Sequence, residues 1–444
     1  MTTADRSFTA DVVIVGAGSA GCVLAERLSR EPDRTVVLLE RGPAGLPTPA
    51  DLDLRRLPID DAAPHAVRHD TDLGVSAARG SALGGSSAVN GGYFLRWHRD
   101  DFGSWPAGWE PDSIADAYDE LDAPVRGTMG VGPVPDDELG DAGRAFERYW
   151  SERAPVRPMT QRWPVVGLNR VLTNRRGVGR RSAADAYLAP ALSRPNLRVL
   201  TGHTVDRLDT ARATVTGVRA GALGVSAGEV ILAAGTLGTA GILLRSELPG
   251  VTGRTHARSL IAGEHRGLAV SYSRRSPADA GMVLPTVLHT DEGLEIRCYR
   301  DDFATYIRGL PASGPIVEVT AMRHSPVRIV ADDARVRMEV DEPDPDTAAT
   351  LRTAADGIVD MLGAPEFAGV VVPGSVRIAD RAGFSQHAWG TMPMGVRTDW
   401  LGGVSGIHGL RIVDGSILPG SGRSGPHATI MMMACRIGAV LAQR

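Results

Sequence analysis

The chain has 444 residues, enough for two or three domains or for one large fold with a second domain embedded in it. Its 48 basic and 52 acidic residues give a formal net charge of −4, so the composition favours no nucleic-acid partner. All 48 basic residues are arginine. Without lysine, the chain has neither a Schiff-base nucleophile nor a P-loop for a nucleoside triphosphate.

The cysteines favour neither a disulfide framework nor a metal site. Cys22, Cys298 and Cys435 stand apart, without a Cys-x-x-Cys pair. The first ten residues lack a secretory signal pattern, and no run of about 18 apolar residues predicts a membrane span. We therefore expect a cytoplasmic protein without metal ligands, with a position at the membrane periphery as the alternative.

The first strong motif is a strand, a glycine-rich turn and a helix near the N-terminus. Residues 11–15 are typical of a buried parallel strand, 22–29 of a helix and 35–39 of a second strand. Small residues in the turn allow a pyrophosphate to approach the helix N-terminus. These candidate cofactor-binding residues are Gly16, Gly18, Ser19, Ala20 and Gly21. Glu40 follows the second strand, where an acid can accept hydrogen bonds from a ribose. The pattern predicts a dinucleotide site and does not separate FAD from NAD.

A second segment rich in small residues, 80–92, favours FAD. Its free backbone N–H groups can form a nest that holds a pyrophosphate or lies against a flat ring. A flavin needs such a cover on one face, whereas NAD rarely does. The candidate residues in this segment are Gly84, Gly85, Ser86, Asn90 and Gly91.

The remaining elements alternate between parallel and antiparallel patterns. The predicted helices are 112–121, 144–152, 237–245, the later part of 343–362, and a last one from about 426. Buried parallel strands are predicted at 229–234 and 410–413, short antiparallel strands at 197–200, 204–208 and 215–220, and an antiparallel sheet from 267–272, 294–299, 316–322 and 335–340. The fold class is therefore α/β, with a discontinuous Rossmann-like nucleotide domain and an inserted α+β substrate domain.

Motifs across most of the chain resemble, in the same order, the glucose–methanol–choline (GMC) family of FAD enzymes that oxidise alcohols. The matching segments are 11–40, 80–90, 180–188, 229–235, 387–395 and 410–439. The resemblance implies an FAD-binding domain of residues 8–105, 178–261 and 388–444, and a substrate-binding domain of 106–177 and 262–387. It also implies cofactor contacts at Val205, Ala234, Gly235, Asp414, Gly415 and Pro426. Ser81 departs from the Arg or Lys usual in the family, and the substrate region is short.

Two histidines are the candidate catalytic residues. His387, in a His-x-x-Gly-Thr-x-x-Met-Gly motif, resembles the family's base, and His427 resembles its partner. A neutral histidine suits removal of a hydroxyl proton while a hydride leaves for flavin N5. Val89 stands where some members carry a histidine bonded to the flavin, so the resemblance implies non-covalent FAD.

The resemblance leaves several functions open. The leading hypothesis is an FAD-dependent alcohol dehydrogenase or oxidase. The alternatives are a hydroxynitrile lyase with redox-idle FAD and a flavin-binding protein without catalysis. The short chain and segment 89–94 look most like the mycofactocin-associated GMC dehydrogenases. That likeness implies reduced mycofactocin as substrate and a respiratory electron acceptor, and a small-alcohol oxidase that uses oxygen is the rival.

Overall fold

The computed structural model describes residues 6–246, 248, 250–251 and 259–444, which form a mixed α/β fold with two large sheets. The strands are β1 (Arg6–Val15), β2 (Val36–Leu39), β3 (Ala66–His69), β4 (Ala77–Gly80), β5 (Val131–Pro133), β6 (Gly167–Arg170), β7 (Leu172–Arg176), β8 (Gly179–Arg180), β9 (Leu197–Leu200), β10 (Arg207–Ala211), β11 (Thr214–Ala220), β12 (Leu223–Leu232), β13 (Ser259–Ser271), β14 (Thr286–His289), β15 (Leu294–Cys298), β16 (Ile316–Ala331), β17 (Val336–Glu339), β18 (Arg377–Ile378), β19 (Gly383–Phe384) and β20 (Leu410–Ile412). The helices are α1 (Ser19–Leu28), α2 (Pro111–Asp122), α3 (Gly140–Ser151), α4 (Ala189–Ala191), α5 (Gly235–Ser246), α6 (Pro345–Leu362) and α7 (His427–Leu441).

The first large sheet has a parallel core in the order β20, β12, β1, β2, β9. Its central strands are buried apolar runs, as parallel strands covered on both faces require. The N-terminal half of β12 also pairs antiparallel with β11, which pairs with β10. Helices α1 and α7 pack together, and α2 packs on α7. Because the strands of the parallel core run in the same direction, their carboxyl ends meet at one edge of the sheet. Ligands bind at this edge in open α/β sheets.

Two predictions for the chain between residues 197 and 211 are wrong. Strand β9 is parallel to β2, with Leu197 opposite Val36, and not antiparallel. The sequence does not separate the two directions here, because β9 is an edge strand with Arg198 exposed, and an edge strand is half-exposed whatever its direction. The strand expected at 204–208 begins only at Arg207, which leaves Val205 in the preceding connection.

The second large sheet is antiparallel, in the order β18, β13, β16, β15, β14, β6, with β17 on β16 and β19 on β13. Helix α6 packs against β13 and β16, and α3 packs against β6, β14 and β15. The antiparallel sheet expected in this part of the chain is present, although β13 and β16 are longer than predicted. The proposed domain boundaries remain a prediction.

A buried ion pair attaches α2 to the segment that follows the second glycine-rich loop. Arg96, 1% exposed, donates from Nε to Asp122 Oδ2 at 2.8 Å, and Asp122 is fully buried. The guanidinium also donates to Asp119 Oδ1 at 2.6 Å and lies over the rings of Tyr118 and Trp163. The Asp119 carboxylate, in contrast, is 61% exposed. The charge on Arg96 is therefore balanced mainly by Asp122.

We expect Asp122→Asn to lower the free energy of unfolding by about 3–5 kcal/mol, because it leaves a buried guanidinium without its counter-charge. The matched change Asp119→Asn should cost about 0–1 kcal/mol, since exposed ion pairs contribute little. Urea unfolding followed by tryptophan fluorescence measures both. Equal losses in the two variants would contradict this account.

Candidate active site

A large cavity, with a volume of about 1110 Å³, lies at the carboxyl edge of the first sheet and reaches the second. It exceeds the roughly 300–1,000 Å³ of pockets for drug-sized ligands, so it has room for a cofactor and a substrate. Every candidate site residue from the sequence lines it except Gly21 and Gly84. The lining candidates are Gly16, Gly18, Ser19, Ala20, Glu40, Gly85, Ser86, Asn90, Gly91, Val205, Ala234, Gly235, His387, Asp414, Gly415, Pro426 and His427.

Gly21 does not line the cavity, but it allows α1 to pack closely against the glycine turn. A Cβ at Gly21 would lie 1.8 Å from the carbonyl oxygen of Gly16, so only glycine allows this approach. Gly16 itself has φ +98, and a Cβ there would lie 2.6 Å from the carbonyl oxygen of Ala233 at the end of β12. These contacts bring the N-terminus of α1 close to both central strands.

The two glycine-rich segments contact each other directly. The Gly84 N–H donates to the carbonyl oxygen of Ala17 at 2.7 Å. Gly85 has φ +52, and a Cβ at this residue would lie 2.6 Å from Gly18 Cα. The first turn and the second loop therefore form one cradle of backbone along the cavity floor.

Glu40 stabilises this cradle from inside the protein. Its Oε2 accepts a hydrogen bond from the Ala17 N–H at 2.9 Å, and its Oε1 accepts one from the Gly42 N–H at 2.8 Å. Burial raises the pKa of the carboxyl group, and these two backbone donors oppose the rise. The sequence predicted a ribose contact for this residue. The structure adds a second role, because Glu40 already holds the glycine turn.

Arg180, whose role the sequence did not predict, holds the second loop. Its buried guanidinium donates to the backbone carbonyls of Asn90 and Ala88 on the loop, and to those of Asp51 and Arg56 beyond it. Burial lowers its pKa to about 10. The arginine thus satisfies several buried carbonyls at once, and it fixes the end of the short 3-10 helix Gly85–Ala88 and the residues after it.

Asp414 joins the last strand of the first sheet to α5. Its Oδ2 accepts from Thr239 Oγ1 at 2.6 Å, and its Oδ1 accepts from the Ser416 N–H at 2.8 Å, so it caps the short turn 415–417. Burial raises the pKa of the carboxyl group.

His427 is the first residue of α7, and its hydrogen bond determines which ring nitrogen carries the proton. The Gly92 N–H donates to Asn90 Oδ1 at 3.0 Å, which turns the Asn90 Nδ2 amide toward His427 Nδ1 at 3.2 Å. Since that amide can only donate, Nδ1 accepts and neutral His427 carries its proton on Nε2. Nε2 is buried and has no partner of good hydrogen-bond geometry among the described residues, while the main chain of Tyr93 lies near enough to the ring to oppose the fall in its pKa. Burial lowers the pKa of the ring to about 4.

His387 is held by its main chain and by its ring. Its backbone N–H donates to both carboxylate oxygens of Glu264, each at 2.9 Å. Its Nδ1 lies 3.4 Å from Nδ1 of His265. Burial lowers the ring's pKa well below its usual value, and the charge on Arg297 lowers it further. His387 is therefore neutral at neutral pH and able to accept a proton.

A buried polar network, also absent from the predictions, forms the wall contributed by the second sheet. Glu295 accepts hydrogen bonds from Tyr93 Oη at 2.7 Å and from Arg297 Nε at 2.5 Å, and its Oε2 lies 2.8 Å from His289 Nε2. Burial opposes ionisation of Glu295, but Arg297 and the other donors lower its pKa overall. Glutamate and arginine two residues apart in an apolar strand were the only signal in the sequence.

Metal clusters and membrane-spanning helices are both missing from the part of the chain that the structure describes. No three His, Cys, Asp or Glu side chains in the described ranges lie where they could share a metal ion. None of the helices in those ranges carries an apolar stretch long enough to cross a membrane.

Comparison with known proteins identifies the class to which this fold and cavity belong. Two family models, both described as GMC oxidoreductase, match residues 10–256 and 325–434. An uncharacterized GMC-type oxidoreductase from the thcA 5′ region of Rhodococcus erythropolis is 32% identical, with 99% of each chain covered. Choline oxidase of Arthrobacter globiformis is 25% identical over 97% of this chain and 94% of its own length. The crystal structure of pyridoxine 4-oxidase from Mesorbium loti superimposes with a TM-score of 0.84 at 23% identity, covering 98% of this chain and 99% of that one.

The chain therefore belongs to the GMC oxidoreductase family. It is an oxidoreductase, and its cofactor is FAD. The cradle fits this group, because its glycines leave backbone free at the N-terminus of α1, where N–H groups and the helix dipole favour a pyrophosphate. The residues that would hold FAD are those of the turn 16–20, Glu40, the loop 85–91 and the segment 414–415.

We expect Gly85→Ala to weaken FAD binding more than about tenfold, which corresponds to about 1.4 kcal/mol. The added methyl group would push the loop away from Gly18. Gly177→Ala is the matched control: Gly177 has φ +62 but no atom within 4 Å of the position of an added methyl group, so it introduces the backbone strain without the collision. FAD titration of the apoprotein by flavin fluorescence measures both. Equal losses of FAD affinity in the two variants would show that backbone strain, and not the collision with Gly18, weakens FAD binding.

Proposed function

We propose that the protein oxidises an alcohol to a carbonyl compound, with His387 as the base and His427 as a hydrogen-bond donor to the substrate oxygen. The observation that carries the proposal is the position of two neutral histidines in the wall of the same cavity as the glycine cradle. The relatives support alcohol oxidation, since they include a choline oxidase and a pyridoxine 4-oxidase.

The two histidines divide the proton chemistry between them. The O–H bond of the alcohol breaks and its proton passes to a ring nitrogen of His387. The Nε2–H of His427 donates to the same oxygen and stabilises the negative charge that develops there. The bound FAD supplies the hydride acceptor, flavin N5, for the carbinol C–H. When cofactor and substrate fill the cavity around the two rings, they displace water, so the hydrogen bonds to the oxygen act in a lower dielectric than that of bulk water.

We further infer how the fold divides this work. The first sheet, with residues 8–105, 178–261 and 388–444, is the FAD-binding domain. The inserted second sheet, with residues 106–177 and 262–387, faces the substrate. This division is supported by the cavity, whose cradle residues lie within segment 8–105 and whose network at Glu295 lies on β15 of the second sheet.

For the substrate, we propose reduced mycofactocin, with electrons passed to a respiratory acceptor. The cavity wall formed by Phe303, Ile307 and Leu310 supports a large substrate, because Leu310 is 41% exposed and the cavity opens to solvent there.

A panel of alcohols that includes reduced mycofactocin, added without oxygen, tests the choice of substrate, because an alcohol that is oxidised bleaches the flavin absorbance. The same assay separates an oxidoreductase from a lyase, whose flavin stays oxidised. Reoxidation with oxygen or a quinone analogue then identifies the acceptor.

We expect His387→Ala to reduce the flavin about 10²–10⁴-fold more slowly than the wild type, the usual contribution of a general base. His427→Asn should lose less, because an asparagine amide can still donate to the substrate oxygen. Anaerobic stopped-flow reduction by the best alcohol of the panel isolates this half-reaction.

The control for these variants is His408→Ala, because His408 is exposed in the turn 406–409, away from the cavity lining. Its flavin should be reduced at the wild-type rate. If His427→Ala slowed reduction and His387→Ala did not, the two roles would be reversed.

FAD should be bound without a covalent link. Val89, which is buried with Ala88 and Leu52, has no nucleophilic atom to offer the flavin. Acid precipitation should release all of the yellow colour into the supernatant, as measured by absorbance. Flavin retained on the washed precipitate would contradict the proposal.

A further inference from the structure

We propose that His265 is a positioning residue that keeps the proton of His387 on Nδ1 and so leaves Nε2 of His387 as the proton acceptor. The inference rests on the proposed function, in which His387 is the base. His265 lies on β13, 122 residues before His387, and does not line the cavity.

The chain of hydrogen bonds starts at a main-chain carbonyl. The hydroxyl group of Ser421 donates to the carbonyl oxygen of Met322 at 2.7 Å. A hydroxyl has one proton, so toward His265 the Ser421 oxygen can only accept. His265 Nε2 lies 3.2 Å from that oxygen and is therefore the nitrogen that carries the proton.

The proton on Nε2 makes His265 Nδ1 an acceptor, provided that the ring is neutral. His265 is 1% exposed and packs on Trp389 with ring centroids 4.5 Å apart. Burial lowers its pKa to about 3, and the charge on Arg297 adds to this, so the ring is neutral at neutral pH. The partner of this acceptor is His387 Nδ1, at 3.4 Å. His387 therefore donates from Nδ1, and its Nε2 keeps the free lone pair.

The main chain around His387 is held by the same strand. Glu264, the neighbour of His265, accepts the backbone N–H of His387, and the carbonyl oxygen of His265 accepts the backbone N–H of Ser385. Gln386 between them has φ +60, and its Oε1 accepts from the Ala78 N–H at 2.9 Å. A non-glycine residue in this conformation persists only where its surroundings fix it. The strand thus fixes both the backbone and the ring of His387.

The test reads the tautomers directly. In the FAD-loaded enzyme labelled with ¹⁵N-histidine, nitrogen chemical shifts distinguish protonated from unprotonated ring nitrogens. We expect His387 to be protonated on Nδ1 and His265 on Nε2, with signals assigned through His387→Gln and His265→Asn. Protonation of His387 on Nε2 in the wild type would overturn the proposal.

Variants link the tautomer to the rate. His265→Phe keeps a flat buried ring without an acceptor, so His387 should lose its Nδ1 preference. Flavin reduction by alcohol should then slow by about 10- to 100-fold, as when a supporting hydrogen-bond partner is removed from other sites. FAD affinity should not change. His265→Asn, which retains an acceptor oxygen, should recover part of the rate. A wild-type tautomer and rate in His265→Phe would overturn the proposal.

Ser421→Ala covers the case in which His265→Phe does not fold. It removes only the hydroxyl that orients His265, and it should mix the tautomers of both histidines. Ser375→Ala is the matched control, because that hydroxyl also donates to a carbonyl, Val372, but its oxygen accepts from the backbone N–H of Ser273 instead of facing a histidine. Unchanged tautomers in Ser421→Ala would also overturn the proposal. The spectra need no turnover, so a failure of every alcohol to reduce the flavin would be recognised separately as failure of the proposed function.

Discussion

The site depends on the contact between two glycine-rich segments that are far apart in sequence. Gly84 donates to the carbonyl of Ala17, and Gly85 sits against Gly18 at a distance that admits no side chain. This contact creates the backbone floor of the cavity, and other groups maintain it. Glu40 holds the turn from one side, and Arg180 holds the loop from the other by binding its carbonyls. Any Cβ at the contact would open the floor.

The buried positive charges described above are carried by arginine, since the chain has no lysine. A guanidinium has five N–H donors in a planar fork, so it can satisfy several acceptors at once. Arg180 binds backbone carbonyls, Arg96 pairs with Asp122, and Arg297 pairs with Glu295 in the cavity wall. Arg180 and Arg96 each hold together segments that are distant in the chain, whereas Arg297 and its partner Glu295 lie two residues apart on β15. Irregular loops can therefore be placed reproducibly around the cavity.

The sequence predicted correctly those elements whose pattern lies within a short stretch of the chain. The strand, turn and helix at residues 11–29 are visible because apolar periodicity and glycine spacing occur within a few residues. The direction of β9 was predicted wrongly, because the burial pattern of an edge strand does not encode direction. Arg180 and His265 were missed for another reason. Each acts through contacts with segments tens to hundreds of residues away, and the residues that flank Arg180 or His265 in sequence do not reveal such partners.

The roles proposed for the two histidines come from their partners rather than from their charge. Burial makes both rings neutral, so pKa alone would give them the same chemistry. The difference lies in what each Nδ1 contacts. Asn90 offers a donor to His427, which places the proton of that ring on Nε2. His265 offers an acceptor to His387, which places the proton on Nδ1. Two identical side chains thereby become one hydrogen-bond donor and one base, as oxidation of an alcohol requires.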